Sequence, residues 1–131
     1  MRKQVEEITF TVPIYYQATK AKNVMIGMNW YRNAHYAIAN KAKKHYADTI
    51  IAIIQYNAFI SGKVSVEYNI YLKRKGSDGG NVLAVISKFV LDGLVKAKVI
   101  EDDNASIVVR EIGNYYFDKS NPRCEIIVKN V

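Results

Sequence analysis

Asp78, in the run Ser77-Asp78-Gly79-Gly80-Asn81, and the cluster Glu101-Asp102-Asp103 are the residues of this chain best suited to chemistry. Carboxylates drawn from two segments can hold a hard, oxygen-bound cation such as Mg²⁺, which accepts few protein ligands and keeps several waters. Asp78 and Asp103 are 25 positions apart. That leaves room for a turn, a helix of about four turns and a short loop that returns towards its start. The spacing therefore predicts that the two acidic segments meet in space. A softer metal is not expected: two histidines and one cysteine offer no zinc-ligand spacing, and the lone Cys124 has no partner for a disulfide within the chain.

The elements that must position these acids follow from periodicity. Ile8 to Ile14 alternates imperfectly and is interrupted by Pro13, which reads as a first strand. Tyr15 to Asn29 reads as a long loop. Trp30 to about Asn57 contains neither Pro nor Gly, and Tyr31, Ala34, Ile38, Ala42, Tyr46 and Ile53 recur at helical spacing. Its second half, Ile50-Ile51-Ala52-Ile53-Ile54, is apolar all round and reads as either a deeply buried helix end or the beginning of a strand; one helix with a break near Gly62 is the favoured reading, with His35 on its apolar side as a core residue. Val64, Val66, Tyr68, Ile70 and Leu72 alternate with Ser65, Glu67, Asn69 and Tyr71, the clearest strand in the sequence. A basic loop, Lys73 to Gly80, leads to a helix capped by Asn81, with the apolar stripe Val82, Ile86, Phe89, Val90, Gly93 and Ala97, ending near Lys96 to Lys98. Ile107 to Ile112 and Glu125 to Val128 read as two last strands around a loop centred on Asp118 to Pro122. The order β-α-β-α-β-β predicts a single α+β domain over residues 1–131, two main helices on a small mixed or antiparallel sheet.

Composition narrows the partners. The chain has 131 residues, half of them hydrophobic, and a formal net charge of +7. Such a field suits phosphate backbones, anionic lipid or acidic proteins. No apolar run approaches the ~18 residues that span a bilayer. The start Met1-Arg2-Lys3-Gln4 is followed by Glu6 and Glu7, not by an apolar signal core. A cytoplasmic protein with no membrane partner is expected.

The order and spacing of several segments resemble the RusA family of Holliday junction resolvases in the form carried by bacteriophages. Ser77 to Asn81 is followed seven residues later by Lys88-Phe89, then by Leu91-Asp92-Gly93-Leu94 and Val99 to Asn104. Asp118 to Arg123 is similar to the family's C-terminal segment, and Asn29 to Tyr36 to its N-terminal one. The resemblance implies a RusA-like fold and a homodimeric, Mg²⁺-dependent (or Mn²⁺-dependent) endonuclease that nicks four-way DNA junctions symmetrically in recombination and repair. For a phage protein the setting would be the bacterial host cytoplasm. It also implies roles: Asp78, Lys88 and Asp103 catalytic, with Asp78, Asp102 and Asp103 on the metal. The family's Asp-x-Asp-Asn motif is incomplete, because Gly80 stands where the second aspartate belongs. Three explanations stay open: a site rebuilt from Glu101 to Asp103, weakened or lost turnover that leaves a junction-binding protein, or a substitution introduced into the chain.

Each residue also has an ordinary structural reading. Asp78 before two glycines suits a turn or helix cap, Glu101 to Asp103 suits a solvated loop, and Lys88 with Asp92 has the i, i+4 spacing of a surface ion pair. For DNA contacts, Lys73-Arg74-Lys75 adjoins Asp78, while Lys41, Lys43 and Lys44 lie on the first helix and Lys20 and Lys22 before it. Lys73, Arg74, Lys75, Lys41 and Lys44 are the candidate phosphate contacts. Ten tyrosines and Trp30 offer stacking surfaces for unpaired bases. One chain has one acidic centre, so paired nicks require two chains.

Overall fold

Alternating burial along Val64–Leu72 organises the molecule. In the computed structural model, which describes residues 2–131, Val64, Val66, Tyr68, Ile70 and Leu72 are buried, and Ser65, Glu67, Asn69 and Tyr71 stand half-buried on the other face. The chain runs β1 (Lys3–Gln4), β2 (Glu7–Val12), β3 (Tyr15–Thr19), β4 (Lys22–Met25), α1 (Met28–Asn33), α2 (Tyr36–Ile54), β5 (Ala58–Phe59), β6 (Val64–Leu72), α3 (Gly79–Lys96), β7 (Val108–Phe117) and β8 (Arg123–Asn130). Four strands form the main sheet in the order β2-β8-β6-β7. β8 runs antiparallel to both neighbours, whereas β6 and β7 are parallel. The sheet is mixed and the architecture is α+β.

One buried cluster joins the inner faces of β2, β6 and β8 to α2 and α3, and every residue of the expected α3 stripe belongs to it or lies buried beside it. Leaving the other sheet face uncovered suits its side chains, which are mostly polar: Thr9 and Thr11, Glu125 and Lys129, Glu67 and Asn69, Arg110 and Asn114. A parallel β6–β7 pair cannot be joined by a hairpin, so α3 forms the crossover between them.

At the crossing of α2 and α3, a Cβ on Gly93 would lie 2.5 Å from Ile50 Cδ1 and 3.4 Å from Ala47 Cα. Ile50 can swing aside for a methyl group but not for a branched side chain. Gly93→Leu should therefore lower stability by about 1–3 kcal/mol through overpacking, while Gly93→Ala stays near neutral because helix propensity offsets the contact. Urea midpoints at constant m-value check this; equal midpoints for the leucine variant and the parent would show that the crossing is loose.

Several sequence expectations need correction. Tyr15 to Asn29 is not a loop but the hairpin β3–β4 followed by the start of α1. Its base is closed by the Ile26 N–H donating to the Ile14 carbonyl at 2.7 Å, with both isoleucines fully buried. The expected single helix is two. Ala34 and His35 are extended, and the exposed His35 caps α2 by accepting from the Ala37 N–H at 3.2 Å. It is therefore not a core residue. α2 stops at Ile54, ahead of Gly62, because Gln55 and Tyr56 both take positive φ. Its buried stripe is centred on Tyr46, Ala47, Ile50 and Ile54, which leaves Ile53 on the margin at 46% exposure. β7 continues through Gly113 and Asn114 to Phe117, since Tyr115 to Phe117 pair with Ile70 to Leu72.

Candidate functional site

β6 ends at Leu72 and the chain turns through Lys73 to Ser77, with the Ser77 N–H donating to the Arg74 carbonyl at 3.2 Å. Asp78 then caps α3: its Oδ1 accepts from the Asn81 N–H at 3.2 Å. The structural reading of Asp78 is realised, and Asn81, expected as the cap, has another task. Its Oδ1 accepts from the Met28 N–H at 2.9 Å and ties α1 to the first turn of α3. Asp78 is exposed, and its second oxygen has no protein partner among the described residues. Gly79 is pressed against the sheet, since a Cβ there would run into the Tyr115 ring. Gly80 is open: the only atom near a Cβ is Asp78 Oδ1, at 3.5 Å.

The second acidic segment lies at the other end of the domain. After α3 the chain passes Lys98, at φ 60°, and reaches the exposed loop Glu101 to Asn104 ahead of β7. There Glu101 accepts from the Gly62 N–H at 3.3 Å, and Asp102 accepts from the Asp103 N–H at 2.7 Å and from Asn104 Nδ2 at 3.0 Å. The pairing of Val64 with Val108 and of Leu72 with Phe117 puts this loop beside the start of β6 and Asp78 beside its end. Asp78 and Asp103 are thus separated by about the length of α3, ~27 Å for 18 residues. The expectation that they meet within one chain is overturned. The helix that was to return the chain instead spans the full sheet, because it crosses between parallel strands. Among the described residues no three His, Cys, Asp or Glu side chains form a group able to hold a metal. Asp78, Asp102 and Asp103 of one chain therefore do not fit a Mg²⁺ site.

Lys88 belongs with neither acid. It is ten residues along α3 from Asp78, about 15 Å, and its Nζ sits 5.5 Å from the centroid of the Tyr31 ring in a cation–π contact. The anticipated Lys88–Asp92 pair is absent too: Asp92 contacts Lys96 at 3.2 Å and Lys43 at 3.8 Å, at the seam of α2 and α3.

The cations sort by whether an acid already holds them. Lys44 pairs with Asp48 at 2.7 Å, while Lys41 has no acidic partner among the described residues. Lys73, Arg74 and Lys75 are exposed and have no acidic partner among the described residues, and neither does Lys119 on the turn between β7 and β8. These four surround the sheet end that carries Asp78. Lys119 is not among the phosphate contacts expected from sequence, because it sits in a segment whose turn residues dominate the signal. Neither is Arg123, for the same reason. It donates to Asp118 at 2.9 Å and to Glu125 at 3.1 Å. Hydrogen bonds from the Ser120 hydroxyl and from Arg123 hold the Asp118 carboxyl below the usual carboxylate range.

No family model matches the chain, and no curated protein matches it in sequence. No helix among the described residues is long and apolar enough to cross a membrane.

Proposed function

We propose that this chain is a RusA-like endonuclease that binds four-way DNA junctions as a homodimer in a bacterial cytoplasm, with Mg²⁺ or Mn²⁺ held by carboxylates from both subunits. The observation that carries the reading is the end of the sheet where Asp78, with one oxygen free, stands among Lys73, Arg74, Lys75 and Lys119. Free cations around a lone carboxylate suit a phosphodiester better than a peptide or a neutral metabolite. They would hold the DNA backbone, and Asp78 would supply one ligand of a metal that binds beside it.

The dimer follows from what one chain lacks. β7 is a ten-residue open edge, and Val109, Tyr115, Tyr116 and Phe117 are all on it and more than 40% exposed. A long exposed edge of this kind is a template for strand pairing. Antiparallel pairing of two β7 edges about a two-fold axis reverses one subunit relative to the other. The Asp78 end of each chain then lies towards the Asp103 end of its partner. Pairing through this one edge would yield two equivalent composite sites, as paired nicking requires.

Mixing inactive variants tests the arrangement. Wild-type protein should nick a labelled four-way junction in the presence of Mg²⁺ and spare the matching duplex, and Asp78→Asn and Asp103→Asn should each abolish nicking. In an Asp78→Asn/Asp103→Asn heterodimer one composite site is intact and the other lacks both acids, so the mixture should regain single, unpaired nicks. A mixture as dead as its parents would sink the shared site. A second reading, junction binding without turnover, is favoured by Gly80; salt-sensitive, metal-independent binding with no nicking under any divalent ion would establish it.

A further inference from the structure

On the uncovered face of the sheet three side chains stand in one row across three strands. Tyr71 of β6 pairs with Tyr116 of β7 on one side and with Arg123 of β8 on the other. The Arg123 guanidinium lies 3.9 Å from the centroid of the Tyr71 ring, and the Tyr71 and Tyr116 rings stack with centroids 4.9 Å apart and planes 24° apart. Arg123 is fixed from behind by Asp118, Glu125 and the Asn121 carbonyl, which accepts from it at 2.9 Å. The column is therefore rigid at its Arg123 end. It terminates at Tyr116 on the open edge, 44% exposed.

Positive charge accompanies that ring. Lys73 is two residues beyond Tyr71 and Lys119 three beyond Tyr116, and both line a cleft of about 310 Å³ with Tyr15, Asn23 and Pro122. Asp118 and Glu125, the nearby acids, share the one positive charge of Arg123, which leaves a single negative charge against four cations. The field beside the ring is that of Lys73, Arg74, Lys75 and Lys119. A planar aromatic surface next to unpaired lysines matches a ligand with a flat face and a flanking anion. An apolar peptide would leave the lysines without partners.

We infer that Tyr116 is the stacking platform for an unpaired base of single-stranded DNA, whose adjoining phosphates lie on Lys73 and Lys119. Bases in an intact duplex already stack on one another and do not offer a face to Tyr116. The inference deepens the junction reading by naming the part of a branched DNA that reaches this surface, the bases unpaired near the crossover. It does not depend on nicking, on a metal or on the composite acidic site, but it needs the Tyr116 end of β7 free, so β7–β7 pairing in the DNA-bound dimer must stop short of Tyr116.

Fluorescence anisotropy with a labelled oligothymidylate, and with an abasic oligomer of equal length and charge, separates stacking from charge. Tyr116→Ala should weaken oligothymidylate binding roughly ten-fold, the typical loss for one base–aromatic stack, while Tyr116→Phe, which keeps the ring, stays within about two-fold of wild type. Binding of the abasic oligomer should be unchanged by either. Lys73→Ala/Lys119→Ala should weaken both oligomers and flatten the slope of log K against log salt by about 1.4, two phosphate contacts on a single strand. Unchanged oligothymidylate binding by Tyr116→Ala, or an equal loss for the abasic oligomer, would overturn the assignment even if the protein nicks junctions. The full pattern in a protein that nicks nothing would uphold it while removing the nuclease reading.

Discussion

Gly80→Asp is expected to raise Mg²⁺-dependent nicking of a four-way junction on the order of 100-fold, since one added metal ligand contributes a few kcal/mol of charge stabilisation in the transition state. The backbone accommodates the change: Gly80 is exposed in the first turn of α3, and its Cβ would meet nothing but Asp78 Oδ1 at 3.5 Å. Replacing a helical glycine and placing a negative charge near the helix N-terminus both favour the fold, by about 0.3–1 kcal/mol each. Repulsion from the Asp78 carboxylate opposes this without metal. A divalent ion bound there would be held by both carboxylates and would offset the repulsion. The melting temperature of the variant should therefore rise with millimolar Mg²⁺ more than that of the parent, by ligand linkage. This readout is independent of DNA. Equal Mg²⁺ responses of parent and variant would mean that carboxylates at 78 and 80 do not converge on an ion, and the motif resemblance would lose its chemical meaning.

The second large effect is unfolding in alkali. Burial pushes the Cys124 thiol up to about 12, helped by the neighbouring Glu125. Burial likewise raises Tyr46 and Tyr68 well above the usual phenol value. Tyr46 donates to the Pro13 carbonyl at 2.5 Å and Tyr68 to Glu111 at 2.7 Å, so both hydroxyls are needed in their protonated form. For a group whose folded pKa is raised, the folded state keeps a proton that the unfolded state has lost. The stabilisation is complete below the unfolded pKa and declines as pH climbs towards the folded one. Cys124 alone should lower stability by about 1.4 kcal/mol per pH unit from roughly pH 8.5, and the two tyrosines should steepen the slope to ~4 kcal/mol per unit above roughly pH 10. Against a typical total of about 5–15 kcal/mol, the domain should unfold cooperatively near pH 11. Urea titrations at stepped pH measure the slope, and Cys124→Ala should remove its first segment. Flat stability between pH 8.5 and 10, or alkylation of Cys124 in the folded protein at the rate of a free thiol, would contradict this account.

The parts of the fold that were legible in the sequence are those where one face decides. β6 follows its alternation residue for residue, and α3 buries the stripe its periodicity marks, because each meets the core along one unbroken side. The hairpin β3–β4 was illegible because its turn, between Thr19 and Lys22, carries no glycine or Asn-Gly signal and a register shift interrupts its alternation. The break at Ala34-His35 has no proline or glycine to announce it; an imidazole cap makes it. For the site, Asp78 and the free cations Lys73, Arg74 and Lys75 lie together as composition and adjacency suggest. Asp103 does not join them, because spacing along a chain gives the length of a helix but not the direction of the strands that flank it. The Arg123–Tyr71–Tyr116 column was invisible for a related reason: it is a cross-strand row, and its members come from three strands whose register no single segment encodes.

The strand order β2-β8-β6-β7 has a consequence for how the molecule is made. β8 follows the other seven described strands along the chain, yet it is an interior strand and, among the described residues, the only one that touches both β2 and β6. While a nascent chain lacks Arg123–Asn130, β2 has no partner in the main sheet, and β6 has only β7, a parallel neighbour joined through a long crossover. Ile8, Phe10 and Val12 then have no sheet to close over. Closure of the main sheet therefore has to wait for this segment, and until then the apolar strands are in the care of whatever receives the chain as it leaves the ribosome.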